Sequence, residues 1–513
     1  MRSDQLRSVG KLIERVAWAG LLVALPVTSF PYFPRAIGGE ALVRPLSLYP
    51  LLVLIPFSVL PRLVRKPLPK NLLVLFLFAL VALVSSVISL LRGIEPALGI
   101  SVESRVLRGL FTLAIGCAFF LAIALLPENR ADLRFSLRWI YAGIAIAMAW
   151  GSLQAYYLIS PTSQYFEFLT RLQSRVSIRR LLYDRISGMT YEPHWFAEQI
   201  ILLLLPYTLA AIMNNTTVFR WRWRRLTIEW LLLGWAVILL PFTYSRAGLM
   251  NLILVVLIGF ALFHPRNSFH NGAFRLVLER VNLKRGFRNA LWILMILVII
   301  FTPIYLVGRR NPFFARIWSY WNSPGATFMG YMSHLGMDAR VTYAEAAFNI
   351  YQAYPLLGVG LGNYAFYFEE MLPYRPISDV TEVLLMITPE LGRDRLITSK
   401  NFFLRLLAET GIIGWILFTV FIIINLGYAL YLWLSPDKEW KYWGTASLCG
   451  LTAFGLSALS FDSFVIPDIW ILLGFITAAA HLAAREAAAS PTLQAKTQED
   501  SYDSTLELAR RTL

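Results

Sequence analysis

Cysteine and charge are both scarce in this 513-residue chain. The two cysteines, Cys117 and Cys449, both lie inside apolar runs, which excludes a disulfide scaffold and any zinc or iron–sulfur spacing. Five dispersed histidines, His194, His264, His270, His334 and His481, with no HExxH, DxD or Cys/His cluster, point away from a metal site. No P-loop occurs, which excludes an ATP-driven pump. Charged residues make up 15% of the chain and hydrophobic ones 57%, against about 25% and roughly 45–50% in soluble domains. A soluble core does not absorb that excess, because single cores stop growing near ~250–300 residues. A soluble enzyme, a disordered chain and a collagen-like chain are excluded with it.

Lipid accommodates what a core does not. Apolar runs with almost no charge fit a hydrocarbon layer of about 30 Å. Hydropathy gives twelve candidate spans, at about 14–30, 46–61, 71–91, 106–126, 138–159, 195–213, 226–243, 246–263, 289–307, 402–433, 442–460 and 466–483. The expected fold is therefore an all-α, polytopic integral membrane protein. The first run follows Arg2, Arg7, Lys11 and Arg15 and precedes Pro-rich sequence instead of a small-residue cleavage site, so it reads as an uncleaved first helix.

Positive charge orients the spans. One set of loops holds the N-terminus, Arg62/Arg65/Lys66/Lys70, Arg130/Arg134, Arg220/Arg222/Arg224/Arg225 and six basic residues from Arg266 to Arg288. This set reads as cytoplasmic and places both termini inside, in keeping with an even number of spans. It also accounts for the net charge of +16 without nucleic acid. The organisation expected is nine spans over 1–307 with an outer loop at 160–194, a large non-cytoplasmic loop at 308–401, three spans over 402–483, and a cytoplasmic tail at 484–513 whose polar composition suits disorder beyond Ser490.

The outer loops carry unexpected cations. Arg171, Arg175, Arg179, Arg180 and Arg185 crowd 160–194; they either pair with local acids and lipid phosphates or handle an anionic ligand outside. Within 308–401, Asp338 to Tyr354 reads as an amphipathic helix with Val341, Ala344, Phe348 and Tyr351 on one face and Asp338 as its N-cap.

Four motifs stand out. G-V-G-L-G-N, from Gly358 to Asn363, lacks the preceding strand of a dinucleotide fingerprint, so Gly358 and Gly360 read as a turn that lets backbone approach closely. T-Y-S-R-A-G, from Thr243 to Gly248, places Arg246 at the outer membrane boundary, where it either snorkels or grips a phosphate. M-T-Y-E-P-H-W-F-A, from Met189 to Ala197, flanks Pro193 with Glu192 and His194, each a candidate general acid or base or an ordinary interfacial residue. T-S-K-N-F-F-L-R-L-L-A-E-T-G-I-I-G, from Thr398 to Gly414, has Lys400 and Asn401 at the membrane boundary and Arg405 four residues before Glu409. Charges inside a span are functional by default.

The order EPHWFA, TYSRAG, an arginine-led helix ending in YPLLGVGLGNY, and NFFLRLLAETGIIG resembles the O-antigen ligase and Wzy-type O-antigen polymerase superfamily. The resemblance covers about 185–480. It implies transfer of a glycan from a polyprenyl pyrophosphate carrier to an acceptor on the outer face of a bacterial inner membrane, with no metal and no cofactor. Carried onto this chain, it implies that Arg246 and Arg340 hold the pyrophosphate, with Arg180 and Arg185 as further candidates, and it makes Glu192, His194 and Lys400 the candidate catalytic residues. Many members have a histidine where this chain has Lys400. A protonated lysine does not deprotonate a sugar hydroxyl; the base is then Glu192, His194 or His334, or the proton leaves late. Polymerisation of lipid-linked repeat units is the expectation. A ligase acting on lipid A core or protein is its nearest rival, and a lipid-linked oligosaccharide flippase is a rival of another class. Expected partners are the polyprenyl-linked oligosaccharide, membrane lipid, a flippase and a chain-length regulator.

Overall fold

The computed structural model describes residues 2–33, 42–224, 226–263, 302, 305–306, 315–316, 319–373, 380–388 and 396–511, with side chains chiefly within 8–489. In chain order, the first helices are α1 (Arg2–Ala24), α2 (Leu48–Arg65), α3 (Asn71–Leu90), α4 (Val102–Leu125), α5 (Arg130–Ile159), α6 (Ser163–Val176) and α7 (Pro193–Asn214). A two-residue hairpin, β1 (Arg222–Trp223) with β2 (Leu226–Thr227), leads into α8 (Ile228–Leu239) and α9 (Arg246–Phe263). The large loop contributes α10 (Phe328–His334), α11 (Met337–Ala353) and α12 (Thr381–Ile387). Three long helices follow, α13 (Phe402–Leu434), α14 (Lys438–Ser457) and α15 (Asp468–Arg511).

Seven of these, α2, α3, α4, α5, α7, α13 and the Asp468–Ala489 part of α15, are long and apolar enough to cross a membrane. Helices α8 and α9 are shorter apolar helices. Helices α1 and α14 coincide with expected spans without reaching the same apolarity, and the span expected at 289–307 lies almost wholly outside the described residues. The protein is an all-α polytopic membrane protein, the form in which each segment satisfies its own backbone in lipid. The centre is built where α13 packs on α3 and α14, α15 packs on α4, and α14 packs on α7 and α9. Facing aromatic rings fill it, with Phe402 ringed by Phe403, Phe418, Phe454, Phe461 and Phe464.

Two expectations for the loop helix are corrected. Gly336, in the left-handed region at φ 69°, occupies the N-cap position, and Asp338 falls within the first turn. The buried face is the opposite one: Ala339, Tyr343, Ala346, Ala347 and Ile350 are buried, while Val341 and Phe348 are exposed. Small alanines let α11 approach the N-terminal part of α13 closely, and that closeness outweighs the larger apolar area of the other face. Helix α15 continues to Arg511, through the stretch whose composition suits disorder; its alanine, leucine, glutamate and arginine content favours helix.

Candidate functional site

Helices α3 and α14 end, and α4, α7, α9 and α13 begin, at one end of the bundle. The chain is opened there by a broken helix. Gly411 interrupts α13 with φ 63° and ψ −169°, which frees the carbonyls of Ala408 and Glu409. The glycine turn supplies their partners: Val359 N–H donates to Ala408 O at 3.0 Å and Gly360 N–H to Glu409 O at 2.9 Å. In return Ile412 N–H donates to Pro355 O at 2.8 Å. Gly358, Gly360 and Gly362 all adopt positive φ, of 68°, 89° and 85°. Arg92 donates to Gly358 O at 3.0 Å and Arg105 to Gly362 O at 2.9 Å, so two arginines hold the turn from α3 and α4. The turn is thus a plug that completes a helix inside the protein.

One turn outward from the break, Arg405 donates to Glu409 at 2.9 Å, both side chains being buried. Arg405 also donates to the carbonyl of Asp462. The Asp462 carboxylate in turn accepts the backbone N–H of Lys400 at 2.8 Å. Lys400 sits at φ 50°, a conformation that side chains with a Cβ seldom adopt. Its carbonyl accepts Arg340 Nη1 at 3.1 Å, and its ammonium pairs with Glu382 on α12 while lying 4.8 Å from the Tyr343 ring centre. Tyr343 donates its hydroxyl to Glu382 at 3.1 Å. Partial burial pushes the Glu382 carboxyl up, but hydrogen bonding and charge from Lys400, the Tyr343 hydroxyl and Arg340 hold it below the ordinary carboxylate range. Lys400 is therefore fixed at three points, by Asp462, Arg340 and Glu382. Asn401 caps α13, its Oδ1 accepting Leu404 N–H at 3.1 Å.

Three of the cations, Arg340, Arg185 and Lys400, set the field at His194, the second residue of α7. His194 keeps an exposed face although protein packs densely around it, as at the wall of a crevice. Arg246, at the head of α9, donates to Leu335 O at 3.0 Å and stands within electrostatic reach of Arg340 and Arg316. Ser245 beside it caps α9, accepting Gly248 N–H at 3.2 Å. Glu192 is engaged elsewhere, pairing with Arg179 at 3.3 Å. Arg180 is exposed, and no contact joins it to this group among the described residues. His334 is exposed and rests against the Tyr320 ring at 5.4 Å, next to Leu335.

The structure thus brings Arg185, Arg340 and Lys400 within electrostatic reach of His194 and Arg246 within reach of Arg340, leaves Arg180 apart, and gives Asn401 a capping role. Sequence reasoning missed Glu382 and Asp462, the carboxylates that fix Lys400. Both lie outside the motifs, and no local spacing relates them to residue 400. Among the described residues no group of three His, Cys, Asp or Glu side chains is placed to hold a metal ion. What converges is positive charge on rigid helix ends, an arrangement suited to a multiply charged anion.

Fold and site together define a polytopic membrane protein with cationic side chains gathered at one end of its helices. Residues 231–419, from α8 through the loop helices to the broken part of α13, match the family model described as O-antigen ligase. That segment resembles the O-antigen ligase superfamily. No curated protein matches the chain.

Proposed function

We propose that the protein is a glycosyltransferase that polymerises polyprenyl-pyrophosphate-linked oligosaccharide repeat units on the outer face of a bacterial inner membrane. The observation that carries this reading is the convergence of Arg340, Arg185 and Lys400 around His194, with Arg246 in reach of Arg340. The basic loops favour cytoplasmic termini and a large loop outside. An acceptor hydroxyl oxygen attacks the anomeric carbon of a second repeat unit. The new C1–O bond forms as the C1–O bond to pyrophosphate breaks, with inversion, and the electron pair leaves on the pyrophosphate. Arg246 and Arg340 stabilise that charge as it develops, the contribution that usually dominates such chemistry. Lys400, paired with Glu382, adds charge beside the phosphates.

The hydroxyl proton goes to His194. Glu192 is tied to Arg179 and Lys400 to Glu382, whereas no ion pair engages His194 among the described residues. The family model's description favours a second reading, a ligase whose acceptor is lipid A core or protein. The same clamp serves both, and only the acceptor differs. Membrane lipid, a flippase and a chain-length regulator are the partners proposed.

The test is the purified protein in nanodiscs with a polyprenyl-pyrophosphate oligosaccharide, read by product length and released polyprenyl pyrophosphate. A ladder of lengthened lipid-linked product, lost in Arg246→Ala and Arg340→Ala, supports polymerisation. Release only when a different acceptor is added selects the ligase. Movement of substrate between leaflets with no bond formed with any acceptor overturns the enzyme reading in favour of transport.

A further inference from the structure

Beneath the crevice lie two carboxyl groups that the chemistry above leaves unused. Glu198 on α7 is 7% exposed and Asp468, the first residue of α15, is 1% exposed. Asp468 and the Ser457 hydroxyl at the end of α14 both lie within electrostatic reach of Glu198. Ser457 also accepts Asn251 Nδ2 from α9 at 3.0 Å. Four helices therefore meet at one small polar focus. Both oxygens of Asp468, one of Glu198 and the Oδ1 of the buried Asn251 have no hydrogen-bond partner among the described residues. No cation forms an ion pair with either acid there. An ionised carboxylate in such a place costs several kcal/mol even after relaxation, and two adjacent ones repel as well. The focus therefore needs a cation, and a proton is the one that fits: the neighbours are hydroxyl and amide oxygens, too few for a metal ion's shell, and a protonated carboxyl supplies the missing donor to an orphaned oxygen.

Glu198 follows His194 by four residues on α7, so both lie on one helix face, His194 at the crevice wall and Glu198 one turn deeper. We infer that Glu198 and Asp468 form a buried proton-holding pair that takes up, through His194, the proton displaced from the acceptor hydroxyl. At rest the pair shares one proton. When the new C1–O bond forms and the pyrophosphate departs with its electron pair, the hydroxyl proton passes to His194 Nε2 or Nδ1, and the imidazole passes a proton to the ionised carboxylate. The pair then holds two protons and returns one to water by the same route before the next turnover. The proton-holding part rests on burial and orphaned oxygens alone; the uptake step rests on the glycosyltransferase reading.

Two measurements separate those parts. Infrared difference spectroscopy of the purified full-length protein at neutral pH, in H2O and D2O, is expected to show a protonated-carboxyl C=O band that shifts on deuteration and is lost in both Glu198→Gln and Asp468→Asn. Turnover by the same isosteric variants is expected to fall on the order of 10²-fold in kcat with KM unchanged, within the range of general acid–base effects. A folded variant is verified by an unchanged melting temperature, and Ser457→Ala, which leaves both carboxyls in place, keeps the band. Absence of the band in wild type, or its displacement on replacing choline with Na+ at constant ionic strength, overturns the proton-holding pair. A band present with wild-type kcat in both variants overturns the uptake step. If no acceptor yields a bond even in wild type, the function proposed above has failed, while the band still decides the proton-holding pair.

Discussion

Gly358 and Gly411 lie back to back, one in the loop plug and the other at the break in α13. Both are in the left-handed region, at φ 68° and 63°. A Cβ on Gly358 would stand 2.7 Å from Gly411 N and 2.5 Å from Ala408 O. A Cβ on Gly411 would run into the Leu356 carbonyl. The helix break and the glycine turn therefore exist only as a pair, and together they set the height of Arg405, Lys400 and Asn401 in the membrane.

Gly358→Ala is accordingly expected to destabilise the protein by two additive costs. A left-handed residue with a Cβ costs about 1–2 kcal/mol, and forcing atoms into packed backbone adds roughly 1–3 kcal/mol. Gly325→Ala is the control, since Gly325 also has positive φ, at 78°, but a Cβ there meets nothing within 4 Å. Thermal unfolding in detergent checks this: a clear fall for Gly358→Ala and a smaller one for Gly325→Ala. Equal shifts would show that the close approach contributes nothing.

Arg340 has two jobs in the proposed reaction, contact with phosphate and support of the Lys400 carbonyl. Arg340→Ala is expected to reduce kcat/KM by roughly 10²–10³-fold, as for the loss of a main transition-state donor. Arg340→Lys is expected to recover little, because an ammonium lacks the planar fork. Arg246→Ala is expected to cost a similar factor, and the double variant less than the product of the two, since both cations act on one anion. Single-turnover release of polyprenyl pyrophosphate measures each, and strict multiplication in the double variant would argue for separate sites.

The Glu382 carboxyl gives the site an acid limit. Its folded-state pKa lies below the ordinary value, so its stabilising pairing with Lys400 is complete above the ordinary carboxylate pKa of about 4.3. That contribution is lost as pH falls through the depressed folded value. Hydrogen exchange at the Lys400 amide, which Asp462 accepts at 2.8 Å, reports the clamp. Exchange is expected to be slower in wild type than in Glu382→Gln at neutral pH, after correction for intrinsic rate, and the two are expected to converge in strong acid. Parallel curves with no convergence would detach Glu382 from the clamp.

Much of this was legible in the residues, and the parts that were not share a cause. Membrane-spanning helices and the Arg405–Glu409 spacing depend on hydropathy and i,i+4 geometry, both local properties of the chain. The motifs marked Arg246, Lys400 and His194, and the family resemblance marked Arg340, but neither showed which of them lie within reach of one another. Glu382 and Asp462 reach Lys400 from 18 and 62 residues away, which no periodicity encodes. The face of α11 was misread because hydrophobic size favours Val341 and Phe348. Close packing instead selected Ala339, Ala346 and Ala347.

The Arg405–Glu409 pair separates charge neutralisation from charge function. Both side chains are buried, 12% and 2% exposed, and 2.9 Å apart within a membrane-spanning helix. Glu409→Leu leaves the Arg405 guanidinium buried without its carboxylate, for which the expected cost is about 3–5 kcal/mol. Arg405→Met strands Glu409 similarly. The double variant Arg405→Met/Glu409→Leu removes both charges and is expected to be close to neutral in stability, since apolar replacements of buried pairs often are. Arg405 also holds the Asp462 carbonyl, and Asp462 fixes Lys400, so the double variant is expected to melt like wild type yet turn over at least about tenfold more slowly. Melting curves and single-turnover rates on the four proteins of this cycle test both halves. Recovery of stability together with full activity would show that the pair serves the fold alone and that Asp462 keeps Lys400 in place without it.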